Sequence, residues 1–175
     1  MEKGSLKNIV LSAMFLAIGL VLPFFTSQIK EIGDSLLPMH IPVMLCGLIL
    51  GAKWGLSVGF ILPILRGILF SMPPVYPNSI WMACELATYG FVIGLLYFGR
   101  ENKKTGHLYF CLIASMLSGR VVWGITKAVL LGIGGKAFTI NAFIVGGFLD
   151  AIPGILIQLI IIPVIMGVIN YKKDN

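Results

Sequence analysis

Residues 107–133 read HLYFCLIASMLSGRVVWGITKAVLLGI, an apolar run that carries two cations, Arg120 and Lys127. It exceeds the about 20 residues needed to cross a hydrocarbon core of about 30 Å, so it predicts a membrane-spanning helix with room to tilt. Arg120, Trp123 and Lys127 fall at i, i+3 and i+7, which places two charges and an indole on one helical face. A charge near the middle of a bilayer costs several kcal/mol unless it faces protein or a wet cavity, so this face marks where something binds or moves.

The rest of the chain matches this segment. Its 175 residues are 58% hydrophobic and 11% charged, with a mean hydropathy of +0.98, too little polar surface for a water-soluble globule. The pattern predicts an all-α integral membrane protein, one compact six-helix bundle over residues 1–175. Spans are expected at about 7–25, 39–52, 54–71, 79–98, 107–133 and 141–169. The first run ends in Pro23-Phe24-Phe25-Thr26 without a small-residue cleavage site, so it reads as a retained helix rather than a signal peptide. Pro42 falls in the first turn of the second span, where no helical N–H bond is lost. Pro73, Pro74 and Pro77 close the third span. Pro153 and Pro163 predict kinks in the sixth. Cys46, Cys84 and Cys111 lie in separate apolar segments without ligand spacing and read as buried thiols.

With both termini cytoplasmic, Lys3, Lys7, Lys53, Arg100, Lys103, Lys104, Lys172 and Lys173 lie inside, against Lys30 and Lys136 outside. That bias assigns the sidedness. It also places Arg66, Glu85, Arg120, Lys127 and Asp150 at the midplane or in the outer half, at 1.5 Å of rise per residue. Five charges from four helices are thus expected in one outward layer. Asn78, Trp81, Glu85 and Tyr89 repeat at three and four on the start of the fourth span, a second face mixing polar groups with rings. A pocket for a small polar ligand needs this inventory of apolar wall, fixed polar groups and a matching charge. His40, at the outer start of the second span, is a further hydrogen-bonding candidate. A plainer reading of the same charges has an arginine pairing with Glu85 or Asp150 to hold helices together, leaving one spare cation.

Catalytic signatures are absent from the sequence. It contains no G-x-S-x-G, no H-E-x-x-H, no phosphate-cradling loop and no metal-spaced cluster, so neither an enzyme nor a cofactor is expected. Without a phosphate loop, any uphill transport must draw energy from a partner or an ion gradient. Ala13 and Ala17, extended by Gly19, form a small-residue stripe on the first helix where another helix can approach closely.

Six spans in a short chain, Ala13-x-x-x-Ala17, the polar loop before Leu37-Pro38-Met39-His40-Ile41-Pro42, and Gly47-x-x-x-Gly51-x-x-x-Gly55 together resemble the substrate-binding S component of energy-coupling factor (ECF) vitamin transporters. The resemblance covers nearly the whole chain and implies a multi-pass cell-membrane subunit. Such a subunit captures a vitamin or precursor from outside and works with a transmembrane coupling subunit and two cytoplasmic ATPases. It further implies that Ala13 and Ala17 dock the coupling subunit and that Thr26 to Pro38 form a lid. Arg66, Asn78, Trp81, Glu85, Arg120, Trp123, Lys127, Asn141 and Asp150 become pocket residues. The lipid bilayer is the other partner, and nucleic acid is not expected. Three cations against two acids favour a carboxylate-bearing cargo. Pantothenate comes first, because the Met-His-Ile-Pro and Met-Pro-Pro segments look like pantothenate-type S components. A folate, a pyrimidine precursor or a pyridoxine-type ligand remains open. Two other classes also remain: a solitary ion-coupled carrier relaying protons through Glu85 or Asp150, and a non-transporting scaffold whose charges all pair off.

Overall fold

The computed structural model describes residues 3–26, 37–99, 105–135 and 137–174, and among these there are helices and turns but no strand. The helices are α1 (Lys3–Thr26), α2 (His40–Leu50), α3 (Ala52–Phe70), α4 (Ile80–Tyr97), α5 (Thr105–Ile133), α6 (Ile140–Ile144) and α7 (Ile152–Asp174). A kinked turn at Val75–Ser79, with Tyr76 extended at φ −123° and ψ 134°, precedes α4, and a wide π-helical turn at Val145–Leu149 follows α6. Among the described residues five stretches are long and apolar enough to cross a membrane: Ser5–Phe25, Ala52–Phe70, Val75–Tyr97, Thr105–Ile133 and Ile140–Ile169.

The second expected span differs. Helix α2 has 11 residues, so it rises about 16 Å, roughly half a hydrocarbon core. Every residue of it except Ile49 is buried, as a helix apolar on all sides demands. Its end is set at Gly51, which adopts φ 94° and returns its N–H to the Gly47 carbonyl at 3.0 Å. That left-handed backbone suits glycine, and α3 begins at the next residue, folding back along α2. The reversal works because Gly55 has no side chain: a Cβ there would lie 2.8 Å from the Gly47 Cα and collide with the Gly90 carbonyl.

Helix α4 runs through the middle, packed against α2, α3 and α5, while α1 covers α2 and α3 and α7 closes against α5 and α2. Met44, Leu62, Leu86, Ile93, Leu112 and Ile162 form the centre of the apolar core. On α1, Phe15 and Gly19 face inward, and a Cβ on Gly19 would lie 2.5 Å from Leu62. Ala13 and Ala17 are exposed on the other side. Gly19 therefore belongs to internal packing and does not extend the alanine stripe.

The sixth predicted span is broken rather than kinked at Pro153. The chain leaves helical register through Val145–Leu149, where Gly146 and Gly147 let the backbone approach the Trp123 ring to 3.3 and 3.4 Å from their Cβ positions. Pro153 then falls in the first turn of α7, where its missing N–H breaks no bond. Pro163 alone is interior to that helix.

Candidate functional site

Helices α1 and α3 end, and α2 and α4 begin, at the end of the bundle opposite Gly51. The segment between α3 and α4 cannot be helical, because Ser71 stops α3 in the left-handed region at φ 57° and prolines follow at 73, 74 and 77. It is folded down by Ser79, whose hydroxyl donates toward the Pro74 and Pro73 carbonyls at 3.1 and 3.3 Å. That hydroxyl sits where a side chain on Gly67 would be, 2.6 Å from its Cβ position. The segment thereby becomes one rim of a cavity of about 410 Å³, inside the range of about 300–1,000 Å³ usual for small-molecule sites.

The cavity is built from seven stretches of chain. Trp81, Met82 and Glu85 come from the start of α4 and Arg120 and Trp123 from α5. Arg66 comes from α3. Leu37, Pro38, Met39 and His40 lead into α2, and Pro23 marks the end of α1. Asn78, Met72, Pro73, Pro74 and Gly146 complete the rim. The face predicted from residues three and four apart on α4 does turn toward this space, except that Tyr89 is fully buried beneath it. Its ring packs edge-on to His40 at 5.0 Å, in a space opened by Gly119.

Glu85 is the electrostatic centre. Arg120 Nη1 lies 2.9 Å from its Oε1, with both side chains almost wholly buried at 4% and 3% exposure. His40 Nε2 is 3.6 Å from the same oxygen, too far for a hydrogen bond. The guanidinium spends only Nη1 on this pair: Nε and Nη2 of Arg120 are buried with no hydrogen-bond acceptor among the described residues, and both ring nitrogens of His40 are in the same state. Buried donors without acceptors each cost on the order of 1–3 kcal/mol, so they call for an occupant.

Arg66, the second cation on the wall, is already engaged. Its Nη1 donates to the Leu20 carbonyl at 2.6 Å, and the guanidinium sits 4.9 Å from the Phe24 ring and 5.6 Å from the Phe70 ring. Leu20 lies in the turn of α1 before Pro23. With two guanidinium groups against one carboxylate, the cavity carries a formal +1 with His40 neutral.

The predicted five-charge layer is thus smaller than expected. Asp150 and Asn141 are exposed and do not line the cavity, because the turn at Val145–Leu149 rotates that stretch outward. Lys127 is also outside the lining, held behind the tryptophans: its Nζ is 4.4 Å from the Trp123 ring centre, 5.3 Å from Trp81 and 5.5 Å from Phe138. Residues 27–36, most of the expected lid, lie outside the described residues, as do Arg100, Lys103, Lys104, Lys30 and Lys136 of the charge count. Leu37 and Pro38 do reach the cavity. Sequence reasoning missed Pro23, Met39, Met72, Pro73, Pro74, Met82 and Gly146 as wall residues. Prolines read first as helix terminators, yet a proline cluster just before a helix that carries Glu85 in its second turn was the available signal.

Among the described residues no group of three His, Cys, Asp or Glu side chains is placed to hold a metal ion, and Cys46 and Cys84 are free thiols. The arrangement suits binding: apolar and aromatic walls, a paired carboxylate, and an arginine with two free donor nitrogens. Comparison with curated proteins and with solved structures gives no match. The family model described as the ECF transporter, substrate-specific component, matches residues 7–166. The chain therefore belongs to that family, as a multi-pass membrane subunit that binds a small-molecule substrate for an ECF transporter and is not an enzyme.

Proposed function

We propose that the cavity under Met72–Pro74 is the substrate site and that its cargo is a vitamin-sized carboxylate, with pantothenate the first choice. The observation that carries this reading is Arg120, whose Nε and Nη2 are buried and unmatched while Nη1 is held by Glu85. Held in that way, the guanidinium presents its remaining donors in a fixed plane, the geometry that recognises a carboxylate. The net +1 of the walls disfavours a cation such as thiamine. Pantothenate adds hydroxyls and an amide that His40, Asn78 and Glu85 can serve, and methyl groups that fit against Trp81, Trp123 and Met82. In this reading Lys127 and Tyr89 support the site from behind the wall, and Asn141 and Asp150 take no part.

The cavity opens outward in this proposal, with the termini and the 100–104 loop cytoplasmic, as the distribution of Lys and Arg directs. Ala13 and Ala17 lie exposed on α1 and dock the coupling subunit, whose two ATPases drive release inside. Thiol labelling from outside is expected to reach cysteines placed at 74–77 and to miss those at 101–104.

Mass spectrometry of the molecule that copurifies with the detergent-solubilised protein, followed by calorimetric titration with pantothenate, tests the cargo. Pantothenate is expected to bind, and Arg120→Ala to weaken it by about 2–4 kcal/mol. Copurification of a cationic ligand, or unchanged affinity in Arg120→Ala, overturns the proposal.

A further inference from the structure

Lys127 has no carboxylate within ion-pairing reach among the described residues, and it is half-buried on a membrane helix. What surrounds its ammonium group instead is three rings from three places in the chain: Trp123 one turn back on α5, Trp81 on α4, and Phe138 in the 137–139 segment before α6. Ring faces are the one apolar surface that attracts a cation, through their quadrupole, and the attraction grows as water is removed. Trp123 and Phe138 also meet edge to face, with centroids 6.0 Å apart and planes at 79°. Trp81 and Trp123 are each about nine-tenths buried and both line the cavity, while Lys127 does not touch that space.

We infer that Lys127 is a positioning residue for the binding site: its ammonium group clamps Trp81, Trp123 and Phe138 together from behind, so that two helices and the segment before α6 close the cavity as one unit. Its charge therefore acts on the walls and not on the cargo. This inference rests on the cavity being the substrate site, and it makes a claim that a direct charge contact would not make. Loss of the clamp affects charged and uncharged ligands alike.

The test uses the full chain in lipid nanodiscs with Trp54→Phe, which leaves Trp81 and Trp123 as the only indoles. Lys127→Met removes the charge and keeps the length, Lys127→Arg keeps the cation, and Phe138→Leu removes one ring and keeps Lys127. Two readouts are taken: acrylamide quenching of tryptophan fluorescence without ligand, and stopped-flow release of pantothenate and of its uncharged alcohol analogue. Lys127→Met is expected to raise quenching and to speed release of both probes by roughly tenfold. Phe138→Leu should move both readouts the same way by less, and Lys127→Arg should stay close to the parent. A defect confined to pantothenate, with quenching unchanged, would place the ammonium on the ligand's carboxylate and overturn the clamp. Unchanged quenching and release in both Lys127→Met and Phe138→Leu would make Lys127 a spectator. If the parent binds neither probe, the cargo reading fails by itself, and the quenching series still decides whether the clamp exists.

Discussion

The two halves of α4 face the same neighbouring helices and meet them by different means. From Trp81 to Glu85 the helix presents rings and a carboxylate to the cavity it shares with Arg66, and Glu85 reaches Arg120 at 2.9 Å. From Leu86 to Tyr97 it touches its neighbours backbone to backbone, with Gly59 resting on the Leu86 carbonyl. A side chain on Gly90 would run into the Gly55 carbonyl, one on Gly94 would come within 2.5 Å of the Ala52 nitrogen, and Gly47 rests on the Gly90 carbonyl. Small residues allow such approach in a membrane, where dispersion replaces the hydrophobic drive between helices. The tight half fixes the helix axes and lets the other half keep a space lined by unmatched donors.

If that division of labour holds, substitutions in the two halves should separate stability from binding. The largest effect is expected from Glu85→Gln, which leaves Arg120 buried without its anion. Thermal unfolding should show a loss of about 3–5 kcal/mol, and adding Arg120→Met should restore most of that stability without restoring ligand affinity. Recovery of affinity along with stability would show that the pair serves only to hold helices together. Next, Gly90→Ala should cost about 1–3 kcal/mol of stability by forcing α3 and α4 apart. Once folded it should still bind, so a selective loss of affinity would show that the tight half is part of the site.

Arg120→Lys should sit between the parent and Arg120→Ala in affinity, because an ammonium group reproduces the charge but not the planar fork. Equal affinity to the parent would reduce the role of Arg120 to a bare charge. A smaller structural effect is expected for Ala13→Leu and Ala17→Leu, which point away from both halves. Ligand titration and unfolding should match the parent while uptake through the coupling subunit fails. The smallest change belongs to Asp150→Asn and Asn141→Ala, both exposed, with affinity expected to stay within about 0.5 kcal/mol. A larger loss would extend the site into the turn after α6.

Much of this was readable before any coordinates. Apolar runs too long for soluble helices announced a membrane bundle, and Arg66, Glu85 and Arg120 inside them pointed to the candidate cavity they line, because a bilayer tolerates charge only where protein or water receives it. The three-residue and four-residue spacing of Trp81 and Glu85 was enough to put them on one face, since a helix has a fixed period. Hydropathy could not show that α2 is a buried half-span, because a short apolar segment reads alike whether lipid or protein surrounds it.

Which of five charges meet was a matter of tertiary structure alone. Asp150 turns outward because a two-glycine π-helical turn interrupts its helix, and Lys127 faces rings because Phe138 arrives from beyond α5. Arg66 is drawn off to Leu20 by a carbonyl near Pro23, a partner 46 residues away. Sequence determined the solvent this chain folds in and the faces that must be shielded from it, since both follow from local composition and period. Only the packing of distant segments decided which shielded charge found a carboxylate, which found aromatic rings, and which was left with donors to offer a ligand.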